Sequence, residues 1–305
     1  MNIRDLQYVT TLSRTLHFGH AAAECHVSQP TLSAQVRKLE NELGAILFER
    51  STRAITLTDA GTAVVREAHA ALEQIQRVVD VARAHGDPMA GTLRLGMIPT
   101  LAPSLVPMVI RPLMSSHPAL ELVITEDTTE TLLDQLHHHQ VDAILIATHS
   151  KHNELLEQVL FDEPFWLVHP QSHAFYEEAD VTLSMLRGQQ ILLLSEVHCL
   201  AGQVADLCKR FTEPGPHDNL RASSFETLLQ LVSAGFGLTL VPALTTSGPW
   251  TTDMGIIAKP VRNQAARRRV RLVWRKSFPH AVVIDSLVSV ILDRLPNTVT
   301  PAYSS

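Results

Sequence analysis

The sequence predicts an α/β protein with a separate helical head. Three observations carry this. Apolar residues recur at helical spacing through residues 1–48 and again from about residue 59 to residue 85. The chain then breaks at Gly86-Asp87-Pro88. Beyond the break, strand-like and helix-like runs alternate, the pattern of a parallel or mixed sheet. With 305 residues, 45% hydrophobic and 18% charged, there is material for two or three packed units with real cores.

The elements follow in order. Leu6, Val9, Leu12 and Leu16 form one helix face. Ala21-Ala22-Ala23 lets a neighbouring helix come close, and Val27 lies in a tight connection. Ser28 suits an N-cap, and Pro30 sits in the first turn, where it loses no hydrogen bond. Leu32, Val36, Leu39 and Leu43 then share a face until Gly44 stops the helix. After the polar tip Ser51-Thr52-Arg53 the period changes, and Ala54 to Thr58 alternate like a hairpin strand. Thr58 or Asp59 caps a long helix to about His85 with a sustained apolar seam, including Val64, Ala68, Ile75 and Ala82. So long a helix has little core of its own, which fits a linker and dimerisation element. Strand candidates follow at Leu93–Ile98, Leu120–Thr125, Asp142–Ala147, Phe165–Val168, Ile191–Leu194, Leu238–Val241, Ile256–Pro260 and Val270–Trp274. The expected division is residues 1–58, 59–88 and 89–305.

Composition narrows the function. No run reaches the roughly 18 apolar residues that span a bilayer. The N-terminus shows no apolar signal region, so a cytoplasmic location is expected. Three cysteines are too few for a disulfide scaffold. The net charge of −6 is unevenly spread: residues 1–86 carry nine basic and nine acidic residues, so the whole excess lies beyond them. A DNA surface can therefore sit on the head.

Residues 18–42 have the parts of a helix-turn-helix. Ser28, Gln29, Pro30, Thr31, Ser33, Gln35, Arg37 and Lys38 lie on or around the exposed start of its second helix. Gln and Arg suit base edges, while Ser, Thr and Lys suit phosphate oxygens. Arg50 and Arg53 in the hairpin suit the backbone or a minor groove.

Cys199 to Cys208 is a second constellation. Leu200, Val204 and Leu207 share one helical face. In a helix the nine-residue separation puts the cysteines about 13–14 Å apart along the axis and about 180° around it. A disulfide needs Cα atoms within about 7 Å, so joining them requires the helix to open. That would couple thiol chemistry to shape. Spacing alone favours two buried structural cysteines. Cys199 follows a strand near a helix N-terminus, with His198 beside it, where the thiolate is favoured. Other motifs are bland. Consecutive residues on a helix point about 100° apart, so His137-His138-His139 cannot face one metal. Gly235-Phe236-Gly237 precedes a strand and is no dinucleotide fingerprint. Cys25 reads as packing. Neither metal nor cofactor is expected.

The segment Ala21-Ala22-Ala23-Glu24-Cys25-His26-Val27-Ser28-Gln29-Pro30-Thr31-Leu32-Ser33 resembles the winged helix-turn-helix of LysR-type transcriptional regulators. So do Arg37-Lys38-Leu39-Glu40, Leu47-Phe48-Glu49-Arg50 and Leu57-Thr58-Asp59-Ala60-Gly61. The resemblance implies a winged helix-turn-helix, a linker helix and a two-lobed, periplasmic-binding-protein-like regulatory domain. It implies a non-enzymatic regulator that binds double-stranded promoter DNA as a homodimer or homotetramer and works with RNA polymerase.

Within that family, His198-Cys199-Leu200 with Cys208, Ile98-Pro99-Thr100, Phe161-Asp162-Glu163-Pro164 and Phe225-Glu226-Thr227-Leu228 are similar to its peroxide-sensing members. That similarity implies hydrogen peroxide as the signal, with Cys199 peroxidatic and Cys208 resolving. Thr100 and Thr129 would orient peroxide, His198 would polarise the site, and Arg267 would stabilise the thiolate. Arg268 is the alternative to Arg267 in a basic stretch from Gln264 to Arg271. Two rivals remain. One is a LysR-type regulator that takes a small-molecule effector in the inter-lobe cleft. The other is a thiol peroxidase, which leaves residues 1–86 unexplained.

Overall fold

The computed structural model describes residues 1–50, 55–84, 89–209, 220–247 and 254–302. These form two compact units, the first ending with the long helix and the second opening with the first strand beyond it.

In the first unit, α1 (Ile3–Thr15) starts on a capping box: Asn2 accepts from the Asp5 amide, and the Asp5 carboxylate accepts from the Asn2 amide. Helices α2 (Phe18–Glu24) and α3 (Gln29–Leu43) follow, with Ser28 accepting from the Thr31 amide and Gly44 ending α3 in the left-handed region. Val9, Leu12, Ala21, Ala22, Leu32, Val36 and Leu39 are buried together. The expected stripe on α1 stops one residue early. Leu16 is the left-handed C-cap and is 45% exposed.

Strands β1 (Phe48–Arg50) and β2 (Ile55–Leu57) pair antiparallel as the wing. One Glu40 oxygen accepts from the amides of Leu47 and Phe48, at 2.9 and 3.1 Å, and so ties the wing to α3. Helix α4 (Asp59–Ala84) begins where Thr58 accepts from the Gly61 amide and donates to the Ile46 carbonyl. Gly61 has a steric reason: a Cβ there would lie 2.0 Å from the Leu47 carbonyl oxygen. Along α4, Val65 and Ala68 are buried, whereas Ile75, Val78 and Val79 are exposed.

The second unit is built on a mixed eight-stranded sheet. Strands β3 (Gly91–Met97), β4 (Leu120–Glu126) and β5 (Ala143–Ile146) run parallel, joined by α5 (Ala102–Ser116) and α6 (Thr129–His137). The long strand β6 (Leu155–Pro170) follows, then the short β7 (Leu193–Leu194). Next come α7 (Cys199–Cys208), β8 (Arg221–Ala222), α8 (Phe225–Ser233), β9 (Thr239–Pro242) and β10 (Ile256–Pro260). Strand β11 (Arg267–Arg275) returns antiparallel to both β5 and β6. Helix α9 (Ala281–Asp293) and β12 (Thr300–Pro301) close the described chain.

Two apolar cores divide this unit into lobes. Leu95, Leu105, Ile144, Phe161, Val270 and Leu287 belong to the first, and Phe165, Leu167, Val204, Leu228, Leu240 and Ala266 to the second. Strand β6 passes through both, whereas β11 lies in the first and Ala266, just before it, in the second. The expected strand Phe165–Val168 is only part of β6, which starts ten residues earlier at Leu155.

Candidate functional site

Cys199 is the first residue of α7, and His198 at the N-cap makes no side-chain cap. A helix start leaves amides without intrahelical acceptors, and its dipole favours negative charge. His198 instead turns its Nε2 toward the Ser223 carbonyl at 3.1 Å, which places a proton on that nitrogen. Cys199 is half-buried and packs on the first lobe's core. Cys208, at the other end of the helix, is buried in the second lobe's core. Burial pushes its thiol up to about 11. Neither forms a disulfide.

Beside Cys199 is a cavity of about 10 Å³ lined by Thr100, Thr128, Thr129, His198 and Cys199 among others. It is large enough for about one water-sized molecule. Thr129 opens α6, and its buried hydroxyl oxygen has no hydrogen-bond partner among the described residues. An orphan hydroxyl in a closed space is costly and normally has a ligand or water to meet. Thr100 is buried between β3 and α5. Its oxygen accepts from Arg268 Nη1 at 2.6 Å, which leaves its own proton for another acceptor.

The arginine that reaches Thr100 is Arg268, the neighbour of the one first expected. Arg267 is 53% exposed and pairs with Asp162 at 3.5 Å, away from Thr100. Arg268 has no exposed side chain and binds Thr100 and Glu163. Strand parity decides this. Ala266, Arg268 and Val270 point into the cores, so Arg267 must point out. The alternation was available from Val270 and Ala266 in the sequence.

Spacing did not reveal two other residues. Gln203, midway along α7, donates from Nε2 to the Ala147 carbonyl at 2.9 Å, tying the helix to the end of β5. Its buried Oε1 has no partner among the described residues. Glu163 accepts from Arg268 and from the Leu244 amide, each at 2.8 Å.

A larger cleft of about 670 Å³ adjoins this site. Glu126, Ser223, Ser224, Phe225 and Glu226 line it, and it shares Thr100 and His198 with the small cavity. On the first unit, Ser28, Gln29, Pro30, Thr31, Arg37 and Lys38 are exposed, and Ser33 and Gln35 are half-buried. Arg50 lies on β1 opposite Ile55, and Arg53 lies outside the described residues. Among the described residues no group of His, Cys, Asp or Glu is arranged to hold a metal. No described helix is long and apolar enough to cross a membrane.

A head with a helix-turn-helix and a two-lobed α/β unit define a class of DNA-binding regulator. The family model for the bacterial regulatory helix-turn-helix protein, lysR family, matches residues 3–62, and that for the LysR substrate binding domain matches residues 86–296. The chain belongs to the LysR family.

Within it, the chain is similar to the DNA-binding transcriptional dual regulator OxyR of Escherichia coli K12. The two are 38% identical over 296 residues, which is 97% of this chain and 96% of that protein. It is also similar to a full-length OxyR variant from Pseudomonas aeruginosa, with a TM-score of 0.76 and 35% identity over 100% of this chain and 99% of that one. A peroxide-bound OxyR mutant from Corynebacterium glutamicum matches with a TM-score of 0.65 and 32% identity, over 96% of this chain and 92% of that one.

Proposed function

We propose that the protein is a transcriptional regulator that senses hydrogen peroxide through Cys199. The observation that carries this is the cysteine at a helix start, bordering a one-molecule cavity with Thr100 and the unpartnered Thr129 hydroxyl. The thiolate is the attacking form. Its sulfur attacks one peroxide oxygen, the O–O bond breaks, and hydroxide leaves to become water. The product is Cys199 sulfenic acid. Thr100 and Thr129 hold the peroxide oxygens, His198 lies beside them, and Arg268 acts through its hydrogen bond to Thr100. This reading replaces Arg267 with Arg268.

Cys208 then attacks the sulfenic sulfur, the S–O bond breaks, and a second water leaves. In sum, one peroxide and two thiols give one disulfide and two waters. The nine-residue helical separation forbids that bond while α7 is intact. Resolution therefore opens the helix and breaks the Gln203–Ala147 tie between lobes. Residues 1–58 bind double-stranded promoter DNA, residues 59–88 pair subunits into a dimer or tetramer, and residues 89–305 sense. The exposed apolar residues of α4 support pairing. The refolded segment changes the spacing of the DNA-binding heads and the engagement of RNA polymerase. The protein acts in the cytoplasm by binding and not by turnover.

One equivalent of peroxide added to reduced protein, followed by non-reducing peptide mass spectrometry, tests this. The expected product is a linked Cys199–Cys208 peptide, and two untouched thiols would sink the sensor reading.

The 670 Å³ cleft favours a second reading, a small-molecule effector. Among the described residues, its lining holds Glu126 and Glu226 and no lysine or arginine. A small carboxylic acid would meet like charge there. This reading predicts a thermal shift with a neutral or cationic compound and none with peroxide.

A further inference from the structure

The two cores of the sensing unit change over within a few residues. Phe161 and Val270 lie in the first, and Phe165 and Ala266 in the second. At the changeover, Glu163 on β6 and Arg268 on β11 stand opposite each other in register, neither with any exposed side chain. An ion pair so placed is costly unless every donor and acceptor is used. Glu163 uses both oxygens: Oε2 accepts from Arg268 Nε, and Oε1 accepts from the Leu244 amide. The guanidinium is a rigid planar fork, so holding Nε fixes where the two Nη groups point. They point at Thr100, Nη1 at the hydroxyl at 2.6 Å and Nη2 at the backbone carbonyl at 3.1 Å. Thr100 then lines the cavity beside Cys199, whereas Glu163 does not.

We infer that Glu163 is a positioning residue for the peroxide site: anchored on Leu244, it sets the plane of Arg268 and through it the direction in which Thr100 offers its proton. The inference rests on the peroxide-sensing reading. Its rival is that Glu163 only neutralises a buried arginine.

The two roles separate in the pH profile of Cys199 oxidation. A change of charge moves the midpoint of the profile. A change of geometry lowers the plateau at high pH, where the thiolate is already fully formed. Glu163→Gln puts an NH₂ donor at one of the two positions where Oε1 and Oε2 accept, so one of Leu244 and Arg268 loses its acceptor there. Glu163→Asp keeps the charge but is one methylene short.

The experiment uses the full chain, reduced, with hydrogen peroxide as probe, and traps sulfenic acid with a dimedone-type reagent from pH 5 to pH 10. Thermal melting and retained DNA binding certify folding. Both variants should lose at least about tenfold in plateau rate, a size typical of lost support around a reactive centre. In an Arg268→Lys background, which lacks the fork, Glu163→Gln should cost no further plateau rate. A wild-type plateau with only a shifted midpoint, or a plateau above wild type, would overturn the proposal. Should the glutamine variant fail to fold, a wild-type plateau in Glu163→Asp overturns it alone. Wild-type protein that peroxide leaves unoxidised would instead overturn the sensor reading itself.

Discussion

The two ends of α7 hold the same side chain in opposite surroundings. Cys199 is half-buried at a helix start, against the first lobe's core and a small cavity that three threonines help to line. Cys208 is buried in the second lobe's core, its thiol pushed up to about 11 by burial. The first environment offers a small oxidant room and hydrogen-bond donors. The second keeps its sulfur protonated and out of reach. On the proposed peroxide-sensing reading, position on the helix assigns reactivity, and Cys208 attacks only once it leaves its core.

The comparison breaks most sharply at Cys199. Cys199→Ser should retain DNA binding and lose peroxide-responsive transcription completely, and a reporter assay that still responds would remove Cys199 from its role.

The next largest effect is in labelling. In reduced protein at pH 7, Cys199 should react with iodoacetamide at least about a hundredfold faster than Cys208, since Cys199 is more accessible and burial holds Cys208 protonated. Denaturant should erase the gap. The proton linkage has a definite sign. An exposed thiol ionises near 9.0, whereas folded Cys208 holds its proton to about 11. The folded state therefore binds more protons between these values, and its stability is full below about pH 9 and falls as pH rises toward 11. Helix opening, read by Cys208 labelling in excess of its intrinsic rise with pH, should become easier in that window.

A smaller effect is expected at Gly202. It sits inside α7, and an added Cβ would meet nothing within 4 Å. Gly202→Ala should stabilise the helix by about 1 kcal/mol, or about fivefold. A glutathione redox titration should show the disulfide disfavoured by that factor, with the rate of sulfenic acid formation unchanged. Equal effects on both steps would mean that the two ends do not act separately. The smallest effect belongs to Arg267→Ala. Its exposed pair with Asp162 is screened by water, so peroxide kinetics should stay within about twofold of wild type.

Much of this was legible in the sequence where local rules suffice. Ser28 and Gly44 bound α3 as their chemistry requires, and the head's core residues follow the helical period. The spacing of the two cysteines already meant that a disulfide between them would require the helix to open. The full length of β6 was not legible, because Glu157, Gln158, Asp162, Glu163 and Pro164 interrupt any apolar run. Those polar groups are tolerated because partners from distant parts of the chain meet them: Arg271 for Glu157, Arg269 for Asp162 and Arg268 for Glu163. No local pattern encodes such pairings. The choice between Arg267 and Arg268 was different, since parity with Val270 could have settled it.

Strand β6 also bears on how this sensing unit can be inherited and rebuilt. At about 3.3 Å per residue, its sixteen residues span about 50 Å and serve as a wall of both lobes. A gene cut at the waist would sever a shared wall and leave Glu163 or Arg268 buried without its counterpart. The lobes are therefore one heritable piece, however separate their cores look. New specificities can be grafted onto this scaffold at its loops, but recombination within the waist should yield fragments that fold neither alone nor together.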